Sequence, residues 1–230
     1  MDGETAVITG ASRGIGRAIA KRFADAGVHV VICSRNTDDI EAVATEIREA
    51  DGDVTAMRAD VRDEFDVERL MEQAARVGGN VEYVVANAGV YHGSAGETPL
   101  TSESYAAFDD HMRSNARGVF TTVREALPHL AENARILVSS GRVARDHAGG
   151  YGSYAVSKAA AEALVRGFSA DTEYVTTVVD PGIVETELTG KSGHDPNDVA
   201  EQFHWVACEA SEETVDGEIV DRKQWRRASR

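Results

Sequence analysis

The stretch "TGASRGIG", residues 9–16, stands between a short apolar run at 5–9 and a helical pattern at 15–26. Glycines allow a chain to turn tightly and to approach a pyrophosphate closely, while the helix that follows presents free N–H groups and the positive end of its dipole. A glycine cluster also occurs in ordinary turns, but the strand–turn–helix context favours nucleotide binding. The residues predicted to contact a nucleotide here are Gly10, Ser12, Arg13, Gly14, Ile15 and Gly16.

Apolar runs and helical patterns alternate along the rest of the chain. After the first strand and helix, strands are predicted over 28–33, 54–59, 81–86, 135–139, 174–179 and 218–220, and helices over 38–50, 64–77, 102–112, 116–130, 154–168 and 196–208. Continuous apolar strands separated by helices indicate a parallel sheet covered on both faces. The predicted fold is α/β, a single doubly wound Rossmann-type domain over residues 1–230 with about seven strands.

The composition is strongly acidic. Asp and Glu number 39 against 24 Lys and Arg, which gives a net charge of −15, and only four of the cations are lysines. Such a chain repels nucleic acids and anionic membranes, so neither is predicted as a partner. An acidic surface with scarce lysine favours adaptation to high salt, as in a halophilic organism, where repulsion is screened. An ordinary acidic protein remains the alternative.

Compartment and metal content are also constrained. No apolar run reaches the ~18 residues that a membrane span needs, and the first residues are acidic, so a cytoplasmic protein is expected. Cys33 and Cys208 are far apart and lack metal-ligand spacing. They are predicted to be reduced, buried thiols, and no catalytic metal is predicted.

The end of the second strand bears on the choice of nucleotide. NAD-binding sheets usually place an acidic residue near this point to hold the ribose 2′-hydroxyl. Here the strand ends in Ser34 and Arg35. A guanidinium suits a 2′-phosphate, and Arg13 could reach the same group, so NADP(H) is favoured over NAD(H). The alternative is a solvated arginine with Asp38 or Asp39 on the ribose of NAD.

A tyrosine and a lysine stand four residues apart in "SYAVSK", residues 153–158. Positions four apart lie on one face of a helix, so Tyr154 and Lys158 are predicted to point the same way. An unperturbed phenol has a pKa of ~10. A nearby ammonium is expected to lower the pKa of Tyr154 and so bring it closer to the range useful for acid–base catalysis.

Taken in order, these motifs resemble the short-chain dehydrogenase/reductase family in its classical form. The resemblance runs from residue 6 to about residue 220. Besides the glycine turn and the tyrosine–lysine pair, it rests on "NAG" at 87–89, Asn115 in "RSNARGVF", the serines that end the fifth strand, and "DPGIVET" at 180–186. It implies an oxidoreductase that interconverts a carbonyl and an alcohol by hydride transfer.

The resemblance also implies the site residues. Tyr154 would act as general acid and base, Ser140 would bind the substrate oxygen, Lys158 would hold the nicotinamide ribose, and Asn115 would anchor a water that links Lys158 to solvent. Further cofactor contacts would be Asp60, Val61, Asn87, Ala88, Gly89, Pro181, Gly182 and Thr186. Each of these residues also has an ordinary structural interpretation, such as packing, capping or a solvated surface.

Two departures from the family pattern stand out. Ser140 precedes Tyr154 by fourteen residues instead of the usual thirteen, which indicates one extra residue in the loop. Ser140 is still preferred to Ser139, because alternate residues of a strand face opposite sides of the sheet. The C-terminal segment "VDGEIVDRKQWRRASR" lacks the usual double glycine, so its role is open.

Substrate and assembly are less constrained. Residues 183–195 are expected to form a short substrate lid, and loops carrying Arg142, Arg145, His147, Tyr91, His92 and Tyr151 border the expected site. The partner is predicted to be a small carbonyl or alcohol, such as a 3-oxoacyl, sugar or ketone compound. Small residues at Ala155, Ala159, Ala160 and Ala163 would let another helix approach closely. With them, the resemblance implies a homodimer or homotetramer, and packing of this helix against the sheet is the alternative. A non-catalytic NADP(H) sensor is the competing hypothesis.

Overall fold

A computed structural model describes residues 3–187 and 193–229 of the chain. These residues form a seven-stranded sheet in the order β3-β2-β1-β4-β5-β6-β7, in which every neighbouring pair is parallel. The strands are β1 Thr5–Thr9, β2 His29–Ser34, β3 Val54–Arg58, β4 Val81–Ala86, β5 Leu130–Ser139, β6 Val175–Asp180 and β7 Ile219–Asp221. The predicted α/β fold with a single Rossmann-type domain is confirmed.

Helices cover both faces of the sheet. They are α1 Gly14–Asp25, α2 Thr37–Glu49, α3 Glu64–Gly78, α4 Tyr105–His111, α5 Gly118–Ala126, α6 Gly152–Asp171, α7 Pro196–Cys208, α8 Glu212–Val215 and α9 Arg222–Ala228. One core lies between the sheet and α1, α2 and α7, and the other lies between the sheet and α3, α5 and α6. Burial on both faces explains why the strands are continuously apolar.

Local sequence sets most of the helix boundaries. Asn36, Asp63 and Asp195 accept hydrogen bonds from the first backbone N–H groups of α2, α3 and α7. Side-chain oxygens at these positions satisfy donors that would otherwise lack a partner. At the other end of α1, Gly27 adopts φ +84° and turns the chain into β2.

The region between β4 and β5 differs from the sequence prediction. The predicted helices at 102–112 and 116–130 are instead α4, a π-helical segment Met112–Arg117, and α5, which follow one another without a break. Ser104 caps α4, so the helix starts later than predicted. Pro128 follows α5, and because proline cannot continue the helical hydrogen bonds, α5 ends at Ala126.

Strand β5 and helix α9 also differ from the prediction. Strand β5 begins at Leu130, five residues before the predicted start, because the turn at Pro128 brings the chain directly to the sheet. Helix α9 was not predicted, yet Asp221 and Gln224 form a capping box at its start. The reciprocal hydrogen bonds of a capping box favour helix nucleation at that point even in a polar sequence.

No helix in the described part of the chain is long and apolar enough to cross a membrane. Within the same residues, no three His, Cys, Asp or Glu side chains group as metal ligands do. Cys33 is buried and Cys208 partly buried, and neither forms a disulfide bond. Burial raises the pKa of Cys33 to about 12 and that of Cys208 to about 11, so neither is a reactive thiolate at neutral pH.

Candidate active site

The glycine turn between β1 and α1 has no room for side chains. Gly10 has φ +67°, and a Cβ placed on it would lie 2.7 Å from the Cα of Ala88. A Cβ on Gly16 would lie 2.4 Å from the Gly10 carbonyl oxygen, and one on Gly14 would lie 3.1 Å from Cγ2 of Thr186. The turn is therefore shaped by its glycines and presents main-chain groups at the carboxyl edge of the sheet.

Asn87 ties this turn to the end of β4. Its Nδ2 donates to the carbonyl oxygens of Thr9 at 3.1 Å and Gly10 at 3.3 Å. In return, Thr9 Oγ1 accepts from the backbone N–H groups of Asn87 and Ala88, both at 3.1 Å. The "NAG" segment thus holds the glycine turn in place from the adjacent strand.

The end of β2 presents one open cation. Arg35 is exposed, whereas Ser34 is buried and its hydroxyl donates to the Asn36 carbonyl oxygen at 2.7 Å. Asp38 and Asp39 lie in the first turn of α2, where their backbone N–H groups bond to Asn36. The serine shapes the loop, and the arginine is the side chain of this strand end that projects to solvent.

The other predicted contact near β3 is already engaged. Asp60 accepts hydrogen bonds from the Arg62 guanidinium at 2.7 to 3.0 Å, and Arg62 also reaches Asp110 at 2.8 Å. Burial acts to raise the pKa of Asp60, but hydrogen bonds from Arg62 outweigh it and hold the pKa below its usual value. Val61 packs into the core on the α3 face. A second arginine, Arg13, forms an exposed ion pair with Glu187 at 2.7 Å.

Tyr154 and Lys158 lie on one face of α6, as the spacing predicts. The Lys158 Nζ is 5.8 Å from the centre of the Tyr154 ring and donates to the Ser139 carbonyl oxygen at 2.9 Å. A Cβ placed on Gly89 would lie 3.7 Å from the same Nζ. Glycine at this position therefore leaves open the space beside the lysine.

The acidity of this pair differs from the expectation. Burial, with a smaller contribution from Tyr91, raises the pKa of Tyr154 to about 12, so the predicted lowering by Lys158 is wrong. Burial also lowers the pKa of Lys158 to about 8, although the charge of Glu162 opposes this. The same low-polarity surroundings disfavour the charged form of both groups. Near neutral pH the pair is a neutral phenol beside an ammonium.

Asn115 lies in the π-helical segment and is completely buried. Its Oδ1 accepts from the Val90 N–H at 2.7 Å, and its Nδ2 donates to the Val90 carbonyl oxygen and to Ser157 Oγ, both at 2.9 Å. π-Helical turns are rare and often mark functional positions. Because the amide already binds these groups, a water linked to Lys158 would have to be held by the main chain of this segment.

A buried ionic network that sequence reasoning missed surrounds Ser140. Its hydroxyl donates to Glu162 Oε1 at 2.7 Å, on the α6 side of the sheet that strand alternation predicts. The Arg145 guanidinium bridges Glu162 and Asp180, whose side chains are 3% and 1% exposed. Glu162 lies one turn beyond Lys158 and two turns beyond Tyr154. The sequence signal that could have revealed this network is the carboxylate of Glu162 in an otherwise alanine-rich, apolar helix.

A second polar network fixes the start of α6. Ser153 donates its backbone N–H to Glu103 Oε2 at 2.7 Å and its hydroxyl to Glu103 Oε1 at 2.8 Å. The Nδ1 of His111 lies 2.7 Å from Ser153 Oγ, while its Nε2 accepts the His92 N–H at 2.9 Å. The proton of the neutral ring is therefore on Nδ1, so His111 donates to Ser153 while the Ser153 hydroxyl donates to Glu103.

Aromatic rings border the tyrosine on the side of the loop after β4. The Tyr91 and Tyr154 ring centres are 4.7 Å apart, and the Tyr91 hydroxyl donates to the Ser94 carbonyl oxygen at 2.9 Å. Of the other loop residues expected near the site, Arg142 pairs with Asp146 at 3.0 Å. The wall beside Tyr154 is thus aromatic, and Arg145 points inward to the network around Ser140.

The turn after β6 closes the same edge. Pro181 is buried, and Gly182 has φ +71° and donates its N–H to Asp180 Oδ1 at 3.0 Å. Residues 188–192 of the predicted lid lie outside the described residues. Its two ends are joined, because His194 N–H donates to the Ile183 carbonyl oxygen at 2.8 Å. Ile183 and His194, near the two ends of the predicted lid, therefore lie side by side next to the turn.

The sequence matches a known family along most of its length. The model of the family described as short chain dehydrogenase matches residues 4–197. The short chain dehydrogenase/reductase dmxR18 of Cryptosporiopsis sp. (strain 8999) is 34% identical over 236 residues, which covers 96% of this chain and 86% of that protein. The NADPH-dependent aldehyde reductase 2, chloroplastic, of Arabidopsis thaliana is 32% identical over 254 residues, with coverage of 96% and 92%.

Solved structures share the fold across nearly the whole chain. A short chain dehydrogenase from Burkholderia cenocepacia J2315, in complex with NADP, superposes with a TM-score of 0.86 at 26% identity, covering 96% of each chain. A 3-ketoacyl-(acyl-carrier-protein) reductase from Brucella melitensis, complexed with NADH, gives a TM-score of 0.85 at 28% identity, covering 96% of this chain and 97% of that one.

Proposed function

This chain belongs to the short-chain dehydrogenase family of oxidoreductases, and on that premise we propose that it interconverts a carbonyl and an alcohol with NADP(H), using Tyr154 as the general acid and base. One observation carries the proposal. The Tyr154–Lys158 pair lies beside the Asn87–Gly89 turn, which is itself hydrogen-bonded to the glycine turn after β1. A phenol, an ammonium and a phosphate-binding turn thus share one edge of the sheet.

The residues at this edge fit a dinucleotide. The glycine turn would hold the pyrophosphate through main-chain N–H groups. Glycine is required at Gly10 and Gly16, because a Cβ there would collide with Ala88 or with the Gly10 carbonyl oxygen and so disturb the turn. The adenosine side would meet Ser34, Arg35, Asp60 and Val61, and the nicotinamide side would meet Asn87, Ala88, Gly89, Pro181, Gly182 and Thr186. The bound cofactor supplies or accepts the hydride, and the protein aligns it.

The preference for NADP(H) rests on Arg35. It is exposed at the end of β2, where the 2′ position of an adenosine ribose is expected in this fold. Arg13 could join it, because an exposed ion pair such as Arg13–Glu187 contributes only ~0–1 kcal/mol and is easily exchanged. Similar proteins include one that is named NADPH-dependent and one solved with NADH, so a direct comparison of the two nucleotides is the test.

The protonation states suit carbonyl reduction near neutral pH. Tyr154, with its pKa raised to about 12, keeps its proton and can donate it to the substrate oxygen. Lys158, with a pKa of about 8, is an ammonium at pH 7. It would bind the nicotinamide ribose hydroxyls and stabilise the phenolate that remains after proton transfer. Oxidation needs that phenolate at the outset and is therefore expected to become faster as pH rises.

Ser140 and Asn115 would have supporting roles. Ser140 would position the substrate oxygen. Its hydroxyl proton is directed to Glu162, so Ser140 could only accept a hydrogen bond from a ligand. Donation to the substrate oxygen would require the hydroxyl to turn away from Glu162. Asn115 would hold the π-helical segment against Val90 and keep Lys158 connected to solvent through a main-chain water. Glu162 is proposed as a positioning residue for Ser140.

The remaining expectations are proposals about context. The aromatic wall formed by Tyr91 favours a carbonyl attached to a flat or apolar group. Partly exposed small residues on α6, such as Ala159 and Ala160, favour a homodimer or homotetramer. A cytoplasmic location and adaptation to high salt follow from the sequence composition alone. The lid over 183–195 would cover the substrate.

The test is a binding measurement followed by a turnover measurement. NADPH and NADH are titrated by the change in nicotinamide fluorescence, and a panel of aldehydes, ketones and 3-oxoacyl thioesters is then followed by loss of NADPH absorbance. NADPH binding with reduction of at least one carbonyl class is expected. Tight NADPH binding without turnover on any compound, at low and high salt, would contradict the proposal and favour a redox sensor.

A further inference from the structure

A basic cavity lies at the opposite end of the sheet edge from Arg35. Its volume is about 410 Å³, and it is lined by His194, Arg222, Lys223, Arg226 and Arg227. Four of these side chains are permanent cations, in a chain whose net charge is −15. Strands β2 and β7 are separated by four others in the sheet order, so this cavity is distinct from the place proposed for the ribose phosphate.

The cations of the cavity are poorly balanced by neighbouring carboxylates. In the described part of the chain, no salt bridge joins any of them to an Asp or Glu. Asp198 is near enough to affect the pKa of His194 and Arg222, and its main-chain oxygen accepts weakly from Arg222 Nη1 at 3.5 Å. Asp221 uses its carboxylate to cap α9. Elsewhere on this protein most arginines are paired with acids, so the local excess of positive charge is unusual.

Arg222 is the buried cation among those that line the cavity. The residue is only 8% exposed, and its Nε has no hydrogen-bond partner. Burial lowers the pKa of Arg222, and the charge of Arg226 lowers it further. A buried N–H of a charged group without a partner is unfavourable, and an incoming oxygen ligand would supply the missing hydrogen bond. The guanidinium carbon lies 5.2 Å from the centre of the Trp225 ring, which fixes its orientation.

The cavity adjoins the turn that closes the candidate active site. Asp180 and Asp221 are register partners in β6 and β7, so Arg222 stands beside Pro181 at the carboxyl edge. A Cβ on Gly182 would lie 3.5 Å from Cδ2 of His194 and 3.9 Å from Cδ of Arg222. A ligand in the cavity would therefore touch the same turn that is proposed to border the nicotinamide.

We infer that this cavity binds the phosphate group of a small-molecule ligand. Three arginine forks and a lysine provide more positive charge than a single carboxylate can balance, and guanidinium groups match the oxygens of phosphate in pairs. The limited volume of the cavity, about 410 Å³, and its position beside the candidate active site favour a small molecule over an acidic protein surface. The inference that the cavity binds an anion does not depend on the proposed function. The link between this phosphate and a carbonyl substrate rests on the proposed function.

The experiment uses inorganic pyrophosphate as the probe, because the glycine turn can also bind it. Titration calorimetry on the full chain compares the wild type with Arg226→Gln and Arg35→Gln, and Arg76→Gln serves as a surface control. Two classes of site are expected in the wild type. Arg226→Gln is expected to weaken one class at least tenfold and leave NADPH affinity unchanged, and Arg35→Gln is expected to spare that class. Succinate is expected to bind it at least tenfold more weakly than pyrophosphate.

Arg222→Met provides the second variant, with folding checked by circular dichroism. It is expected to abolish the same class of site. Pyrophosphate binding that survives both Arg222→Met and Arg226→Gln would overturn the inference, as would binding that disappears only in Arg35→Gln. A change in oligomeric state of Arg226→Gln without loss of anion binding would also overturn it, since the cavity would then serve subunit contact.

A kinetic arm connects the cavity to catalysis. If a carbonyl substrate is reduced, the assay is run with enough NADPH to keep pyrophosphate out of the glycine turn. Pyrophosphate is then expected to raise the KM of the carbonyl substrate in the wild type and to have no such effect in Arg226→Gln. Absence of turnover would defeat the proposed function while leaving the titration interpretable. Normal turnover with no pyrophosphate binding outside the glycine turn would defeat only the present inference.

Discussion

The two halves of the carboxyl edge are built from different materials. At β1 and β4 the site is formed by main chain, with Gly10, Gly16 and Asn87 shaping a turn that offers N–H groups. At β5, β6 and β7 it is formed by charged side chains, several of them buried, including Lys158, Glu162, Asp180 and Arg222. A turn of main chain depends on shape and is insensitive to pH. The state of a buried charge depends on its partners and on its protonation. On that side of the edge, substitutions that keep the shape of a side chain but change its charge are therefore expected to lower activity.

The largest effect is expected from Tyr154→Phe. The change keeps the ring and its contact with Tyr91 but removes the proton donor, so kcat for carbonyl reduction should fall at least ~10³-fold. NADPH affinity should stay within about twofold, because the main-chain turn is untouched. Steady-state kinetics and fluorescence titration measure the two quantities.

Tyr174→Phe is the matched control, since Tyr174 packs at the edge of the core away from the site. It should retain full turnover. Reduction by Tyr154→Phe at a rate close to that of this control would remove the phenol from the mechanism.

The next largest effect is on stability. Burial that lowers the pKa of Lys158 from 10.5 to about 8 corresponds to roughly 3 kcal/mol of destabilisation at neutral pH. Lys158→Met removes this cost and should raise the free energy of unfolding. The gain should be only about 2 kcal/mol, because the Ser139 carbonyl oxygen then loses its hydrogen bond. The same variant should lose catalytic activity.

The pH dependence of stability tests whether the charge on Lys158 causes this cost. Between pH 8 and pH 10.5 the unfolded chain holds the Lys158 proton and the folded chain does not, so wild-type stability should rise with pH in that window. The advantage of Lys158→Met should therefore shrink there. Urea unfolding at several pH values measures it, with Lys21→Met as the control. A destabilised Lys158→Met at pH 7 would mean that the ammonium is well solvated.

In the half of the edge that is built from main chain, the preference for NADPH over NADH is proposed to depend on the charge of Arg35. Arg35→Gln should weaken NADPH binding by about 30-fold, the equivalent of one charge-assisted hydrogen bond worth ~2 kcal/mol. NADH affinity should hardly change, because the pyrophosphate turn is intact. Equal losses for both nucleotides, measured by titration, would show that Arg35 supports the loop structure and does not read the ribose phosphate.

A smaller effect is expected for Glu162→Gln. The amide keeps the shape but weakens the tie to Arg145 and alters the acceptor for the Ser140 hydroxyl, so kcat should fall about tenfold. NADPH affinity should be unchanged, and Glu162→Asp should restore part of the rate. In a Ser140→Ala background the effect of Glu162→Gln should vanish, because the two residues act through one hydrogen bond.

Glu125→Gln, on the surface of α5, is the control for that series. An additive loss of rate in the double variant of Ser140 and Glu162 would contradict a shared role. An unchanged kcat in Glu162→Gln alone would make the buried network purely structural.

The smallest effect concerns the surface as a whole. If the excess of acid reflects adaptation to salt, the melting temperature should rise steadily between about 0.1 M and about 1 M KCl, as the screening length falls from ~10 Å to ~3 Å. Calorimetry or circular dichroism measures it. A melting temperature that is independent of salt would leave an ordinary acidic surface.

The same contrast explains what the sequence could predict. The sheet, its helices and the glycine turn follow from apolar periodicity and from residues whose backbone needs are local, such as Gly10 and Gly27. Tyr154 and Lys158 follow from helical spacing. In each of these cases the signal lies within a few neighbouring positions.

What could not be predicted depends on tertiary contacts. The tie between Ser140 and Glu162 joins residues 22 apart, and the bridge of Arg145 to Asp180 joins residues 35 apart. The raised pKa of Tyr154 arises from burial that no local pattern reports. Helix α9 starts at a capping box in a polar segment without apolar periodicity, so its basic cavity was also missed.

The most direct test of the central claim is transfer of deuterium from NADPH labelled at nicotinamide carbon 4, with the product examined by mass spectrometry. The wild-type chain should place the label on the carbinol carbon of at least one carbonyl in the panel, and Tyr154→Phe should bind the labelled cofactor and transfer almost none. Labelled product formed equally by both proteins would contradict the account, as would labelled cofactor bound by the wild type and never consumed.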